Sequence, residues 1–144
     1  MFVTWKPEDG SEDRTYDFDP DDLLTSEAKA IEKAFGGTWE EWLNGLRTGN
    51  AKARQILLWH LLRQEHRSLR LDDIPDFRMR QLKVEMSVRE LRELLETVSK
   101  TKMDDRTREM AVSAIERDIV EAMERETGVM SGEVVEGDRL PKLR

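Results

Sequence analysis

The sequence predicts a mainly α protein: a small N-terminal β-hairpin packed on a bundle of about five helices, the last two able to project as a helical hairpin. Three observations carry this reading. Apolar residues recur at helical spacing in successive stretches that open on capping residues, several of them closing on glycine. Only the start of the chain shows two short apolar runs around a turn cluster. The 144-residue chain, 38% hydrophobic and 38% charged, holds enough apolar side chains for a core beneath a densely charged surface.

The opening "FVTWKPEDGSEDRTYDFDP" sets Phe2, Val3 and Trp5 before a turn cluster near Glu8 to Glu12, and Thr15, Tyr16 and Phe18 after it, the pattern of a hairpin. Two short strands are marginal alone in water, so the hairpin is expected to lie on the helices that follow. Thr25 as N-cap, Glu27 in the first turn and Ala28, Ile31, Ala34 and Phe35 at helical spacing predict a helix over 26–35, stopped by Gly36-Gly37. Thr38-x-x-Glu41 is a capping box, and a second helix is expected over 39–48, ended by Gly49. Asn50 then caps a third over 51–67, where Ile56, Leu57, Leu58, Trp59, Leu61 and Leu62 leave almost no polar face, so this helix belongs inside.

From Ser68 to Met86 the pattern loosens. Pro75 breaks any helix, and Phe77, Met79, Leu82, Val84 and Met86 alternate with polar groups in two phases, as a loop or short irregular strand would. Ser87-x-x-Glu90 is a second capping box, opening a helix over 88–99 with Val88, Leu91, Leu94, Leu95 and Val98 as its stripe. A longer helix over 105–127 carries Ala111, Val112, Ile115, Ile119, Ala122 and Met123. Three regions result: residues 1–82, a hairpin plus three-helix core; 83–128, a helical hairpin; and 129–144, a flexible tail without sustained period.

The net charge of −7 is uneven: −7 over residues 1–50, +3 over 51–100 and −3 over the rest. In the mildly basic middle, arginines alternate with acids instead of forming the concentrated stripe of a duplex binder, so no nucleic-acid partner is expected. The absence of cysteine excludes disulfides, thiolate metal sites and a cysteine nucleophile. The longest apolar run, Ile56 to Trp59, falls far short of the roughly 20 residues that span a bilayer, and the start carries no cationic, apolar leader, so a cytoplasmic protein without a membrane partner is expected.

Catalytic and metal chemistry find few footholds. Asp17, Asp19 and Asp21 have the first spacings of a calcium loop, but Asp22 stands where the turn needs glycine and Ala28 where a bidentate glutamate is needed. His60 and His66, the only histidines, are six residues apart and hence about 240° apart on a straight helix, which excludes a metal site made by this pair alone. There is no glycine-rich phosphate loop, and carboxylate pairs such as Glu40/Glu41 or Asp72/Asp73 are common on acidic surfaces. Neither a catalytic residue nor a cofactor is assigned, and the chain is expected to act by contact.

Candidate contact residues are the aromatics and the C-terminal apolar stripes. Trp39 and Trp42 lie three apart on nearly one helix face, either as core or as an anchor for a partner. Met79, Met86, Met103, Met110 and Met123 fall in the C-terminal half, where unbranched side chains either fill the gap between two helices or adapt to a client. The partner-binding set is therefore Trp39, Trp42, Met79, Met86, Leu91, Leu95, Ile115, Ile119 and Met123, with self-association through the two C-terminal helices.

The stretch "YDFDPDDLLTSEAKAIEKAFGGTWEEWLNGLRTGNAKARQILLWHLLRQE", followed by "LDDIPDF", resembles the tail assembly chaperones of long-tailed phages, especially those with actinobacterial hosts. The order and spacing of "YDFDPDDL", "AIEKAFGGTWEEWL", Gly49 and the Trp59-centred helix carry the resemblance, over residues 14–77, roughly half of the chain. It implies a protein of the infected cytoplasm that binds the tape measure protein, keeps its hydrophobic helices from aggregating, helps recruit tail tube protein around it and is absent from the finished virion. It also implies a short form, partnered by a longer product of programmed ribosomal frameshifting. Two rivals stand beside it: another phage scaffold or structural adaptor, and a nucleic-acid-binding regulator using the arginines between Arg63 and Arg92.

Overall fold

A computed structural model describes residues 1–127; the expected tail over 129–144 lies outside the described residues. The chain is mainly helical, with a small three-stranded antiparallel sheet packed against helices, and divides into two compact units after Glu85.

In the first unit β1 (Phe2–Trp5) pairs with β2 (Arg14–Asp17) as the expected hairpin, Phe2 opposite Asp17 and Trp5 opposite Arg14. The sheet has a third member that the sequence pattern leaves irregular. Residues Leu82–Glu85 form β3, which pairs antiparallel with the free edge of β1, Trp5 opposite Leu82, giving the order β2-β1-β3. That pairing sets the end of the first unit at Glu85 rather than at 82. Val3 and Trp5 point inward and Phe2 and Thr4 are half-buried, the two-residue alternation of a sheet with one covered face. Gln81 ties the sheet end: its amide nitrogen donates to the Lys6 carbonyl at 3.0 Å and its amide oxygen accepts from the Arg78 backbone N–H at 2.7 Å.

Three helices cover the sheet. In α1 (Thr25–Phe35) the N-cap is Leu24, one place before the expected Thr25, because the Glu27 carboxylate reaches back to accept the Leu24 N–H at 3.0 Å. The helix ends on Gly36 at φ +80°, a conformation that costs glycine nothing. The Thr38–Glu41 box opens α2 (Trp39–Thr48): the threonine hydroxyl accepts from Glu41 N–H at 3.1 Å and the carboxylate from Thr38 N–H at 2.8 Å. The Asn50 side chain accepts from Ala53 N–H at 2.9 Å and opens α3 (Ala51–Arg63). This helix stops four residues short of the expected 67, since "QEHRS" offers no apolar side chain to bury and the chain turns back through Leu69. The core joins Val3, Trp5, Phe18, Ile31, Trp42, Leu46, Ile56, Leu57, Leu58, Leu61, Ile74 and Leu82.

The second unit is a helical hairpin. Ser87 caps α4 (Val88–Lys100), and Asp104 caps α5 (Asp105–Thr127), its carboxylate accepting from the Thr107 N–H and hydroxyl, both at 2.8 Å. Leu91, Ile115 and Ala122 are buried between the helices, flanked by half-buried Met86, Val88, Leu94, Leu95, Val98 and Ile119. The open end is tied by Arg125, whose guanidinium donates to the Met86 carbonyl at 3.0 Å, and by Glu126, whose carboxylate accepts from Val88 N–H at 2.8 Å. Among the described residues no helix is long and apolar enough to cross a membrane.

Candidate functional site

The candidate contact residues part into three groups once placed. Trp42 is fully buried, its indole N–H donating to the Ala53 carbonyl at 3.1 Å and its ring edge-on to Phe18 at 6.0 Å. It is a core residue, not an anchor, because its face of α2 turns onto α3 where Gly45 lets the backbones approach. Trp39 lies half-buried over it, ring centroids 5.1 Å apart, its backbone N–H held by the Glu32 carboxylate at 2.9 Å. Leu91 and Ile115 are likewise spent on the hairpin's own interior, at 4% and 7% exposure. They cannot meet a partner while the two helices stay paired.

What remains accessible is Met79 in the first unit, at 41% exposure, and Met123, at 45%, with half-buried Met86, Leu95 and Ile119 in the second. Met110 and Val120 on α5 are more exposed than any of these, at 67% and 55%. Helical periodicity could have found them, since neither shares the stripe of Ile115 and Ala122, but an off-stripe apolar residue is ordinary on a helix surface. Trp59 is only half-buried: its indole N–H donates to the Leu69 carbonyl at 3.0 Å and the Arg63 guanidinium lies 4.5 Å from its ring centre. The buried side chains of α3 are thus Ile56, Leu57, Leu58 and Leu61 with Ala53 and His60, while Trp59 clamps the return loop from outside.

The two histidines do not converge. His66 is exposed and borders a groove of about 440 Å³ floored by Trp5, Leu62, Leu69 and Phe77, in which Trp5 and Phe77 meet edge-on at 5.3 Å. His60 is 8% exposed and borders a different cleft, of about 500 Å³, beside Asp17, Asp19, Asp22, Glu27 and Gln64. Burial disfavours the charged imidazole, and the nearby Arg63 cation adds to this against the opposing pull of Glu27, so the His60 pKa lies below its ordinary value. The sequence offers no signal for this second cleft, because its acids come from the end of β2, the turn after it and the first turn of α1, and its imidazole from the apolar helix α3.

Within "DFDPDD" Asp19 forms the turn: its carboxylate accepts from Asp21 N–H at 3.0 Å and caps a short 3-10 turn over Pro20–Asp22. Among the described residues no three histidine, aspartate or glutamate side chains gather closely enough to hold a metal ion. Compared with known proteins, the chain matches no family model, no curated protein and no solved structure.

Proposed function

We propose that this chain is a tail assembly chaperone of a long-tailed phage, acting in the host cytoplasm by non-covalent contact with the tape measure protein. It keeps that client's apolar helices from aggregating, helps bring tail tube protein to them, and leaves before the virion is complete. What supports the reading above all is that the residues carrying the resemblance, from Tyr16 and Phe18 through Ile31, Trp42 and Trp59 to Ile74 and Phe77, join one core with its packed margin and so specify one folded body. A holding chaperone needs such a body and an apolar surface that removes the client's equivalent surface from water.

The second unit suits that surface. Its interior rests on Leu91, Ile115 and Ala122, a small core for two helices, while Met110, Val120 and Met123 stay exposed. A unit near the size at which domains need outside help to be stable gains from covering its remaining apolar faces with another helix. The same argument supports pairing with a second copy, or with a longer frameshifted form that shares this sequence. Co-expression tests the whole: a tape measure fragment that precipitates alone is expected to stay soluble with this chain. Equal precipitation with and without it would sink the reading.

A further inference from the structure

The cleft beside His60 has the chemistry of a receptor for a planar organic cation. Of its eleven bordering residues four are carboxylates, Asp17, Asp19, Asp22 and Glu27, and none is lysine or arginine. An acidic cluster alone would be a solvated surface. The second observation is His60 itself, more than nine-tenths buried at the base of that cleft, its ring packed edge-on to Phe18 at 5.7 Å and, among the described residues, with no hydrogen-bond partner for its imidazole. With no protein group bonded to them, the ring nitrogens are left to water or to a guest that enters the cleft.

The spacing of the acids decides what kind of guest. No three of them converge as a metal ion requires, and the cleft holds about 500 Å³, far more than a bare cation fills. A guanidinium has five N–H donors spread over a plane and no acceptor, which matches dispersed carboxylates plus one neutral imidazole nitrogen better than a compact ammonium does.

We propose that this cleft binds an arginine side chain presented by a partner protein, with Asp17, Asp22 and Glu27 as the anionic wall and His60 as the neutral acceptor at its base. The site does not rest on the tail-assembly reading. Glu27 also accepts the Leu24 N–H, and Asp19 is committed to its own turn, so Asp17 and Asp22 are the acids whose removal tests the guest without touching a cap.

The test is a titration of the full chain with N-acetylarginine methylamide, followed by NMR shifts of the His60 ring and of the amides of residues 15–27. Saturable shifts at millimolar ligand are expected at pH 7.5. They should weaken about fivefold or more, the factor that about 1 kcal/mol represents, in Asp17→Asn/Asp22→Asn, whose folding is checked by unchanged amide dispersion elsewhere. Affinity should also fall toward pH 5.5, as the ring gains a proton facing Arg63 from its own helix despite Glu27 on α1 and Asp17 and Asp22 opposite. Equal shifts from the uncharged N-acetylcitrulline methylamide, an absence of saturation, or tighter binding of magnesium or calcium at the same residues would each overturn the proposal.

Discussion

The Trp42 indole nitrogen lies 3.1 Å from the Ala53 carbonyl oxygen, and this one side-chain bond crosses from α2 to the first turn of α3. Two features of the sequence make it possible. Trp42 sits one turn into a helix fixed by the Thr38 box, and Gly45, one turn further, presents no side chain to hold the helices apart. The bond satisfies a buried donor that would otherwise cost about 1–3 kcal/mol. Replacing Trp42 by alanine is expected to destabilise the first unit by about 3–5 kcal/mol, since it removes both the bond and the largest fully buried side chain of the core. Trp42→Phe, which keeps the ring against Phe18, should cost less. Urea midpoints at constant slope measure both, and a cost below about 1 kcal/mol for the alanine variant would contradict the packing.

Gly45 gives the matching steric test. A Cβ there would lie 3.1 Å from the Ala53 Cβ and 3.3 Å from the Asn50 Cβ, and both neighbours are held by their backbones. Gly45→Val is therefore expected to lower stability by roughly 1–3 kcal/mol through overpacking, although glycine is itself the poorer helix former. The same substitution at an exposed helix glycine would be near neutral. Thermal unfolding distinguishes the two, because a variant of unchanged midpoint would mean that α2 and α3 do not approach this closely.

How much of this could be read from the letters depends on how local the signal was. The helix starts at Thr38, Asn50 and Ser87 and the stops at Gly36 and Gly49 are written within four residues, and each falls where the local pattern predicts. β3 was legible only as a loop or a short irregular strand, because a four-residue strand at the edge of a sheet owes its existence to β1, far away in sequence, and its own alternation is broken by the turn at Met79–Gln81. The end of α3 was overrun for a similar reason: helix propensity continues through "RQEH", but the Trp59 bond to Leu69 rewards turning back. Among the candidate contact residues, periodicity placed Leu91 and Ile115 on the inner stripes but put the exposed Met123 there too, and could not say that Leu91 and Ile115 are consumed by each other's helix.

His60 makes the stability of the first unit depend on pH. Its folded pKa lies below the ordinary 6.5, because the charged ring is costly where it is buried. Above that ordinary value the ring is neutral folded and unfolded, and no proton is exchanged on unfolding. As pH falls through 6.5 the unfolded chain takes up a proton that the folded chain resists, so stability declines until the folded pKa is passed and then levels. Denaturation midpoints between pH 8 and pH 5 should show this decline, and His60→Phe, which keeps a ring beside Phe18, should flatten it. A wild-type profile that rises as pH falls over that interval would show the ring to be stabilised as a cation.

The Ser87 cap supports the second unit locally. Its hydroxyl accepts from the Glu90 N–H at 3.2 Å while the Glu90 carboxylate accepts from Ser87 N–H at 2.8 Å. Ser87→Ala removes one half of this exchange and should cost about 1 kcal/mol. Hydrogen exchange is the suitable readout, because a small two-helix unit opens on its own: faster exchange across α4 and α5 with the first unit unchanged is expected, and uniform acceleration along the whole chain would argue that the two units open as one.

Contact and folding can be separated on the second unit by comparing residues that differ only in where they point. Leu91 is buried at 4% exposure, whereas Met110 and Met123 stand out at 67% and 45%. Leu91→Ala empties the hairpin's interior and should loosen it by about 2–5 kcal/mol, so any loss of client protection in that variant would follow from unfolding. Met110→Glu and Met123→Glu place charges where water already reaches, and should leave circular dichroism and unfolding midpoints within about 0.5 kcal/mol of the parent. If α5 shields apolar client surface, the paired glutamate variant should nevertheless fail to keep a tape measure fragment in solution, because a carboxylate buried against an apolar partner helix loses hydration without compensation. Light scattering of the same variant reads the self-association arm. A return toward the monomer mass is expected if a second copy uses this face, and an unchanged mass together with lost client solubility would assign the face to the client alone.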